Sequence, residues 1–485
     1  MTINAFTDDA LADHDAVALA RLVRDGATTP RELAQAAIAR ANAVDPQLNA
    51  IAAHAPTVRY SSDTSAALFG VPTYVKDNTD VAGLPTNHGS EAFTATPAAK
   101  DGAYTTQFLS TGVSVLGKSR MPDFGFNAST EFMTAAPSRN PWNPDYSVGA
   151  SSGGAAALVA AGVVPIAHGN DGGGSIRIPA AAAGLVGLKM SRDRHLNGET
   201  AKLLPVNMVS EGVLTRTVRD TAAFVAAAEN HWRNKKLAPI GQVNGPAQRT
   251  LRVGLLFDSV TGGTLDADTR AAVEHTARLL EAAGHIVEPV GLPVDEQFAD
   301  DFVLYWALLA DVVVSTGRLM LDRSYDATKA DGLLLGLRAH HRRNLHRTPG
   351  MLRRLRAVPN RYAASFARHD VLLSPVLAHT TPTLGYISPT VEFGDLIERL
   401  RHYVSYTPLN NIAGSPAISL PLGQTDAGLP IGVQLSAAYG DERTLLELAY
   451  LLEATSPFPR IENVTARRAE TSSTASSESI PATIG

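Results

Sequence analysis

No cysteine occurs anywhere in the chain, which removes thiol nucleophiles, disulfide frameworks and cysteine-ligated zinc together. Chemistry is left to hydroxyls, amines, imidazoles and carboxylates. Charge of one sign is also scarce: a formal net charge of -5 and a pI near 6.3 give no global pull toward nucleic acid. Long apolar runs are missing too. The most apolar stretch, Phe302 to Val314, is short and interrupted by Asp311, so no transmembrane helix is expected. The N-terminal text MTINAFTDDALADHDAVAL is acidic and lacks the basic-then-apolar order of a signal peptide. These absences lead to the expectation of a soluble, cytoplasmic protein.

What is present is enough chain for a large core. At 485 residues, a prior of about 150 residues per domain allows two or three domains, although large α/β enzymes also run as one unit. Thr29-Pro30-Arg31-Glu32 opens a helix: Thr29 can cap, Pro30 suits the first turn and Glu32 can reach back. Leu33, Ala36, Ala37 and Ala41 share one face of it, and Asp45-Pro46 is expected to end it. Val71 to Lys76, Val113 to Gly117, Val163 to His168 and Leu185 to Leu188 read as short buried strands, with Ser152 to Ala161 as an Ala-rich helix. Leu251 to Phe257, Asp266 to Ala283 and Ile286 to Val290 continue as strand, helix and strand. Pro430 to Leu435 and Glu442 to Glu453 form a last strand and helix.

This alternation predicts an α/β sheet covered by helices on both faces. Residues 296–370 read as a mostly helical insertion, placed to serve as a substrate-facing cap. Residues 466–485, ARRAETSSTASSESIPATIG with its neighbours, carry too little apolar content to pack and are expected to be a disordered tail. The domain expected is therefore 1–465.

The stretch GASSGGAAALVAAGVVPIAHGNDGGGSIRIPA, Gly149 to Ala180, holds two serine-glycine turns. Ser151 and Ser175 lie 24 residues apart, and Lys76, in GVPTYVKDN, precedes the first by 75. Gly149-Ala150-Ser151-Ser152-Gly153 fits the G-x-S-x-G nucleophile elbow. That elbow needs a buried strand directly before it, which RNPWNPDYSV, with two prolines, is not expected to supply. A helix-capping role for Ser151-Ser152 is the plainer account, but it requires neither both glycines nor a second serine turn. Gly172-Gly173-Gly174-Ser175 is not a P-loop, since no lysine follows Gly174. Three successive glycines can instead converge their amides on one anionic oxygen, an oxyanion hole worth about 3 to 4 kcal/mol per donor.

A serine hydroxyl needs a group to take its proton. Lysine can do so only when neutral, which requires its pKa to fall from about 10.4 through burial. Lys76, following the apolar VPTYV, is positioned for that desolvation.

At these residues the chain resembles the amidase signature family. The resemblance is carried by Gly70 to Asn78, Arg139 to Lys189, Asn411 to Gly423 and Gly428 to Gln434. It implies one large α/β/α domain with a mixed, many-stranded sheet, and a Ser-cisSer-Lys triad. Ser175 would be the nucleophile, Ser151 the bridging serine with a cis peptide, and Lys76 the base. Gly172, Gly173 and Gly174, with Ser175 itself, would supply oxyanion amides. Asp171 and Arg177 would hold the nucleophile loop, and Ser152 would tune the hydrogen-bond network. Phe126 and Asn127, in FGFNASTE, match a loop bordering the acyl pocket, with aromatic core packing as the competing account. Ala155, Asn170 and the run Met190-Ser191-Arg192-Asp193 depart from the usual family text, and Asp193 stands where a glycine is common.

The reaction implied is hydrolysis of a small-molecule carboxylic amide to acid and amine, with no metal or cofactor. A homodimer is compatible with it. The glutaminase subunit of a tRNA-dependent amidotransferase is the second reading, and a non-catalytic binding protein the third. Between Arg338 and Arg361 stand eight arginines and three histidines without an acidic residue. The interleaved Leu345, Met351, Leu352 and Leu355 favour amphipathic helices with a solvated basic face over nucleic-acid contact. His340, His341 and His346 lack i,i+4 spacing and a neighbouring carboxylate, so no metal site is expected there.

Overall fold

The computed structural model describes residues 2–198, 201 and 204–461; the expected tail at 466–485 lies outside the described residues. The described residues form three sheets. β1 (Ile51–Arg59), β2 (Pro72–Lys76) and β3 (Ser114–Ser119) form a three-stranded sheet in the order β1-β3-β2. β4 (Arg139–Asn140) and β5 (Asn143–Ser147) make a small antiparallel ribbon. The central sheet holds β6 (Ile166–Asp171), β7 (Val186–Lys189), β8 (Ser210–Thr215), β9 (Arg252–Leu255), β10 (Ile286–Pro289), β11 (Val371–Pro375), β12 (Ala417–Gln424) and β13 (Pro430–Ala437). Its order is β10-β9-β11-β13-β12-β7-β8-β6. β9 pairs parallel with β10 and β11, and the remaining pairs are antiparallel. The fold is thus α/β with a mixed eight-stranded sheet and covering helices.

The strand that carries Lys76 belongs to the smaller sheet, not to the central one. Side chains tie the two together: Thr73 Oγ1 donates to the Ile166 carbonyl at 2.9 Å, so the end of β2 is held against edge strand β6. The core between them is built by small residues. Every residue of the helix Gly153–Ala160 is buried. A Cβ on Gly154 would stand 2.4 Å from the Ala50 carbonyl oxygen and 2.5 Å from Arg120 N. Glycine there is required by close backbone approach.

The helix Pro30–Leu48 starts as its sequence indicates, with a complete Thr29–Glu32 capping box. It runs through Pro46 and stops at Asn49, whose φ is 50°. Pro46 sits in the last turn, where the cost is one missing backbone donor. Asp45 Oδ1 meanwhile accepts from Ala50 N and Ile51 N at 2.7 and 3.2 Å, stabilising the exit.

Between β10 and β11 the chain forms helices Gln297–Met320, Gly332–Arg343 and Thr348–Ala363. The first is 24 residues long, and its most apolar 18-residue stretch has a mean hydropathy of 1.5. By length and composition it is the one helix among the described residues apolar enough to cross a membrane, because the small, neutral Ser315, Thr316 and Gly317 extend the Phe302–Val314 run on its C-terminal side, while Asp300 and Asp301 stand on the other. In the fold Phe298, Leu304 and Tyr305 are buried in a cluster with Met351, Leu355 and Tyr362. Its two mid-helix acids are paired: Asp301 takes Arg354 in two bonds of 2.6 and 2.7 Å, and Asp311 takes His341 at 2.8 Å and Arg342 at 3.1 Å. His341 therefore does have a carboxylate partner. It comes from a different helix, which sequence proximity does not reveal.

Candidate active site

Lys76 ends β2, fully buried. Its Nζ lies 2.7 Å from Ser151 Oγ, 2.7 Å from Asn170 Oδ1 and 3.4 Å from the Asn170 carbonyl. Burial pushes the lysine down to about 7, against the pull of the Glu211 and Asp171 carboxylates. Lys118 and Lys189 are just as buried and are pushed to about 8 and about 7. Their amines, however, end largely on backbone carbonyls, of Thr79 and Pro85 for Lys118 and of Met190 and Ser415 for Lys189. Of the three, Lys76 is the one bonded to a serine hydroxyl.

The Ala150–Ser151 peptide is cis. Gly149 precedes it at φ +77°, and a Cβ there would meet Pro179 Cα at 2.8 Å. β5 shows that RNPWNPDYSV does form a strand, but a short, half-exposed one in a two-stranded ribbon. The buried strand that a nucleophile elbow requires is absent before Ser151. Ser152 occupies the N-cap of Gly153–Ala160 without a side-chain capping bond. Its Oγ reaches the Asn170 carbonyl at 3.4 Å, and its N–H donates to the Ser175 carbonyl at 3.2 Å. That backbone bond joins the two serine turns.

The second turn is organised by Asp171. Its carboxylate accepts from Gly174 N at 2.8 Å, Ile176 N at 3.2 Å and Arg177 N at 3.4 Å, and from Arg177 Nε and Nη2 at 2.9 Å each. Burial alone would raise this carboxyl; Arg177 and the Asn411 amide hold it well below the usual range. Arg177, fully buried, also donates to Gln434 Oε1 and Asn411 Oδ1 at 2.7 and 2.6 Å. The Gly174 N–H is therefore spent on Asp171, which corrects the expectation that it faces an oxyanion. Among the described residues the N–H groups of Gly172, Gly173 and Ser175 are left without an acceptor. Gly174 itself has φ +129°, and a Cβ there would meet Thr407 Oγ1 at 2.4 Å.

Ser175 opens with Gly172 and Gly173 onto a cleft that is continuous with solvent. Phe126 and Asn127 both line it. Phe126 stacks on Trp306 with the ring planes 4° apart. The Asn127 amide is consumed within the chain, donating to the Ile387 carbonyl at 2.9 Å and accepting from Ala128 N at 2.7 Å. Phe298, Phe302 and Trp306 of the Gln297–Met320 helix also line the cleft. One charged side chain, Arg401, reaches the lining, and it is paired with Asp300 at 2.8 Å.

Asn170 and Asn78 escaped the sequence reading of the site. Asn170 Oδ1 accepts from Lys76 Nζ, and the two asparagines exchange amide bonds of 3.1 and 3.3 Å. The departure of residue 170 from the usual family text was the available signal. Asp193, another departure, holds φ 59°, so the left-handed turn a glycine would make is kept by an aspartate. Its carboxylate accepts from Asn197 Nδ2 at 2.7 Å.

Fold and site together define an amide hydrolase. The amidase family model matches residues 32–446, and the chain belongs to the amidase signature family. Among its relatives, the Mycobacterium leprae (strain TN) protein named "Putative amidase AmiC" is 48% identical over 464 residues, covering 95% of this chain and 99% of that one. The 6-aminohexanoate-cyclic-dimer hydrolase of Paenarthrobacter ureafaciens is 33% identical over 484 residues, covering 92% and 95%. A solved structure of 6-aminohexanoate cyclic dimer hydrolase superposes with a TM-score of 0.81 at 29% identity, covering 93% of this chain and 98% of that one.

Proposed function

We propose that the chain hydrolyses uncharged carboxylic amides with apolar substituents through an acyl-enzyme on Ser175. The observation that carries this reading is the buried Lys76 amine at 2.7 Å from both Ser151 Oγ and Asn170 Oδ1. The Asn170 oxygen can only accept, so it takes one N–H of the neutral amine. The lone pair of that amine is then free for the Ser151 hydroxyl proton.

Ser175 Oγ attacks the amide carbonyl; its proton passes to Ser151 and the Ser151 proton to Lys76 Nζ. The negative oxygen is received by the amides of Gly172, Gly173 and Ser175. On collapse of the tetrahedral adduct the C–N bond breaks, and the relay runs backward to protonate the leaving amine. Water attacks the ester by the same path, releasing the carboxylic acid and restoring Ser175.

The apolar walls of Phe298, Phe302 and Trp306, contributed by the helical segment, act as the substrate cap. Glutamine, with an ammonium and a carboxylate on one carbon, fits this cleft poorly, since Arg401 is already neutralised by Asp300. This disfavours the glutaminase reading. The test is Ser175→Ala in a panel of aliphatic, aryl and cyclic amides. Product release should fall by at least about a thousandfold, with loss of labelling by a sulfonyl fluoride and an unchanged melting temperature. Wild-type turnover in the variant refutes the nucleophile assignment.

A further inference from the structure

Behind Lys76 lies a second buried pair that the relay does not use. His168, on β6, has its Nδ1 3.2 Å from the backbone N of Lys76 and its Nε2 3.0 Å from Glu211 Oε2, on β8. His168 and Glu211 are buried, and the imidazole packs against the rings of Tyr104 and Phe108 at 5.1 and 5.6 Å.

The backbone N–H of Lys76 can only donate, so His168 Nδ1 must carry a lone pair. The ring proton is then on Nε2, donated to a Glu211 oxygen that accepts. This tautomer needs a neutral imidazole, since protonation of Nδ1 would set two N–H groups against each other. Burial lowers the His168 pKa, as do the charges of Lys76 and Lys118, while Glu211 opposes them. The pair thus places the Glu211 carboxylate one imidazole away from the Lys76 main chain.

We propose that His168 and Glu211 are positioning residues for the base: the imidazole fixes the end of β2 through the Lys76 N–H, and the Glu211 carboxylate sets the pH at which Lys76 loses its proton. The proposal rests on the reading of Lys76 as the base. The groups facing Lys76 are Ser151 and Asn170, both neutral, His168, Glu211, and Asp171, whose charge is matched by Arg177. Those facing His168 are Lys76, Glu211, Lys118 and Tyr104. Among the described residues, Glu211 is thus the carboxylate near Lys76 that has no arginine partner of its own.

The experiment is the pH dependence of kcat/KM, and of Ser175 sulfonylation, for wild type, Glu211→Gln and Glu211→Asp. The amide keeps an acceptor for His168 Nε2–H and removes the charge. The acid limb should move to lower pH by about half a unit to one unit, a relative gain of about threefold to tenfold below the limb, with KM unmoved. Glu211→Asp should return the limb to its wild-type position. An acid limb that stays in place in a folded Glu211→Gln protein overturns the proposal. Absence of any Lys76-dependent limb in wild type instead overturns the base reading beneath it. Should Glu211→Gln fail to fold, nitrogen NMR of wild-type protein labelled in histidine decides. An unprotonated Nδ1 and a protonated Nε2 from pH 6 to 9 support the pair; an Nδ1–H or a titrating imidazole in that range overturns it.

Discussion

Asn170 Oδ1 and Ser151 Oγ stand at the same distance, 2.7 Å, from Lys76 Nζ. One partner can only accept and the other can surrender a proton, so the pair orients the amine as well as holding it. Asn170→Asp would put a carboxylate in place of that acceptor. An opposite charge this close raises a lysine by about 1 to 3 units. The acid limb of the pH–rate profile should move up by at least about one unit, measured as kcat/KM against pH. An unchanged limb removes Asn170 from the description of the base.

Lys76, lowered to about 7, is active when neutral, so kcat/KM should rise through that pH and level off above it. The same shift acts on stability with a definite sign. The unfolded lysine stays protonated up to about 10.4, so between the folded and unfolded values the unfolded state holds more protons and stability climbs with pH. The penalty for burying the amine is full below pH 7 and is gone above the unfolded value. Lys76→Met should abolish turnover while raising the melting temperature, and the gain should be larger at pH 6 than at pH 10. Calorimetry at the two values checks the order.

The Asp171–Arg177 pair has both side chains fully inside the protein. Arg177→Met leaves a buried carboxylate without its cation, a change that costs about 3 to 5 kcal/mol. It also loosens the acceptor that holds the Gly174, Ile176 and Arg177 amides. Chemical denaturation should show that loss. Any folded fraction should have reduced kcat, because the Ser175 turn is no longer fixed.

Phe302 and Trp306 give the cleft its apolar wall. Removing a buried aromatic surface weakens apolar binding by about 25 cal/mol per Å². Phe302→Ala should therefore raise KM for amides with aryl or long alkyl groups about tenfold or more, and leave that for short amides within about threefold. Equal losses for both would mean that the wall does not select the substrate.

Much of the fold was legible because its signals are local. The Thr29–Glu32 capping box and the last helix with Leu445, Leu446, Leu448 and Leu452 on its buried side follow from spacing, and β6 does so in part, expected at Val163 to His168 and found at Ile166–Asp171. Other features were hidden. Pro46 did not end its helix, because only one bond in the final turn was lost. His341 found its carboxylate on another helix. β8, carrying Glu211, and the helix Val218–His231 gave no separate signal before the structure placed them.

The sequence alone determined which groups exist to do the work: no thiol, two serine-glycine turns, and a lysine after an apolar strand. These are matters of composition and of neighbours along the chain. Only the tertiary structure decided which amides remain open, since the Gly174 N–H is taken by Asp171. It also decided what surrounds the lysine, by setting β2 of the small sheet against the edge of the large one. A proton affinity depends on burial and on polar and charged groups brought from residues 92 to 135 positions away, Asn170, His168 and Glu211. Contacts of that range are fixed by packing, and no local pattern encodes them.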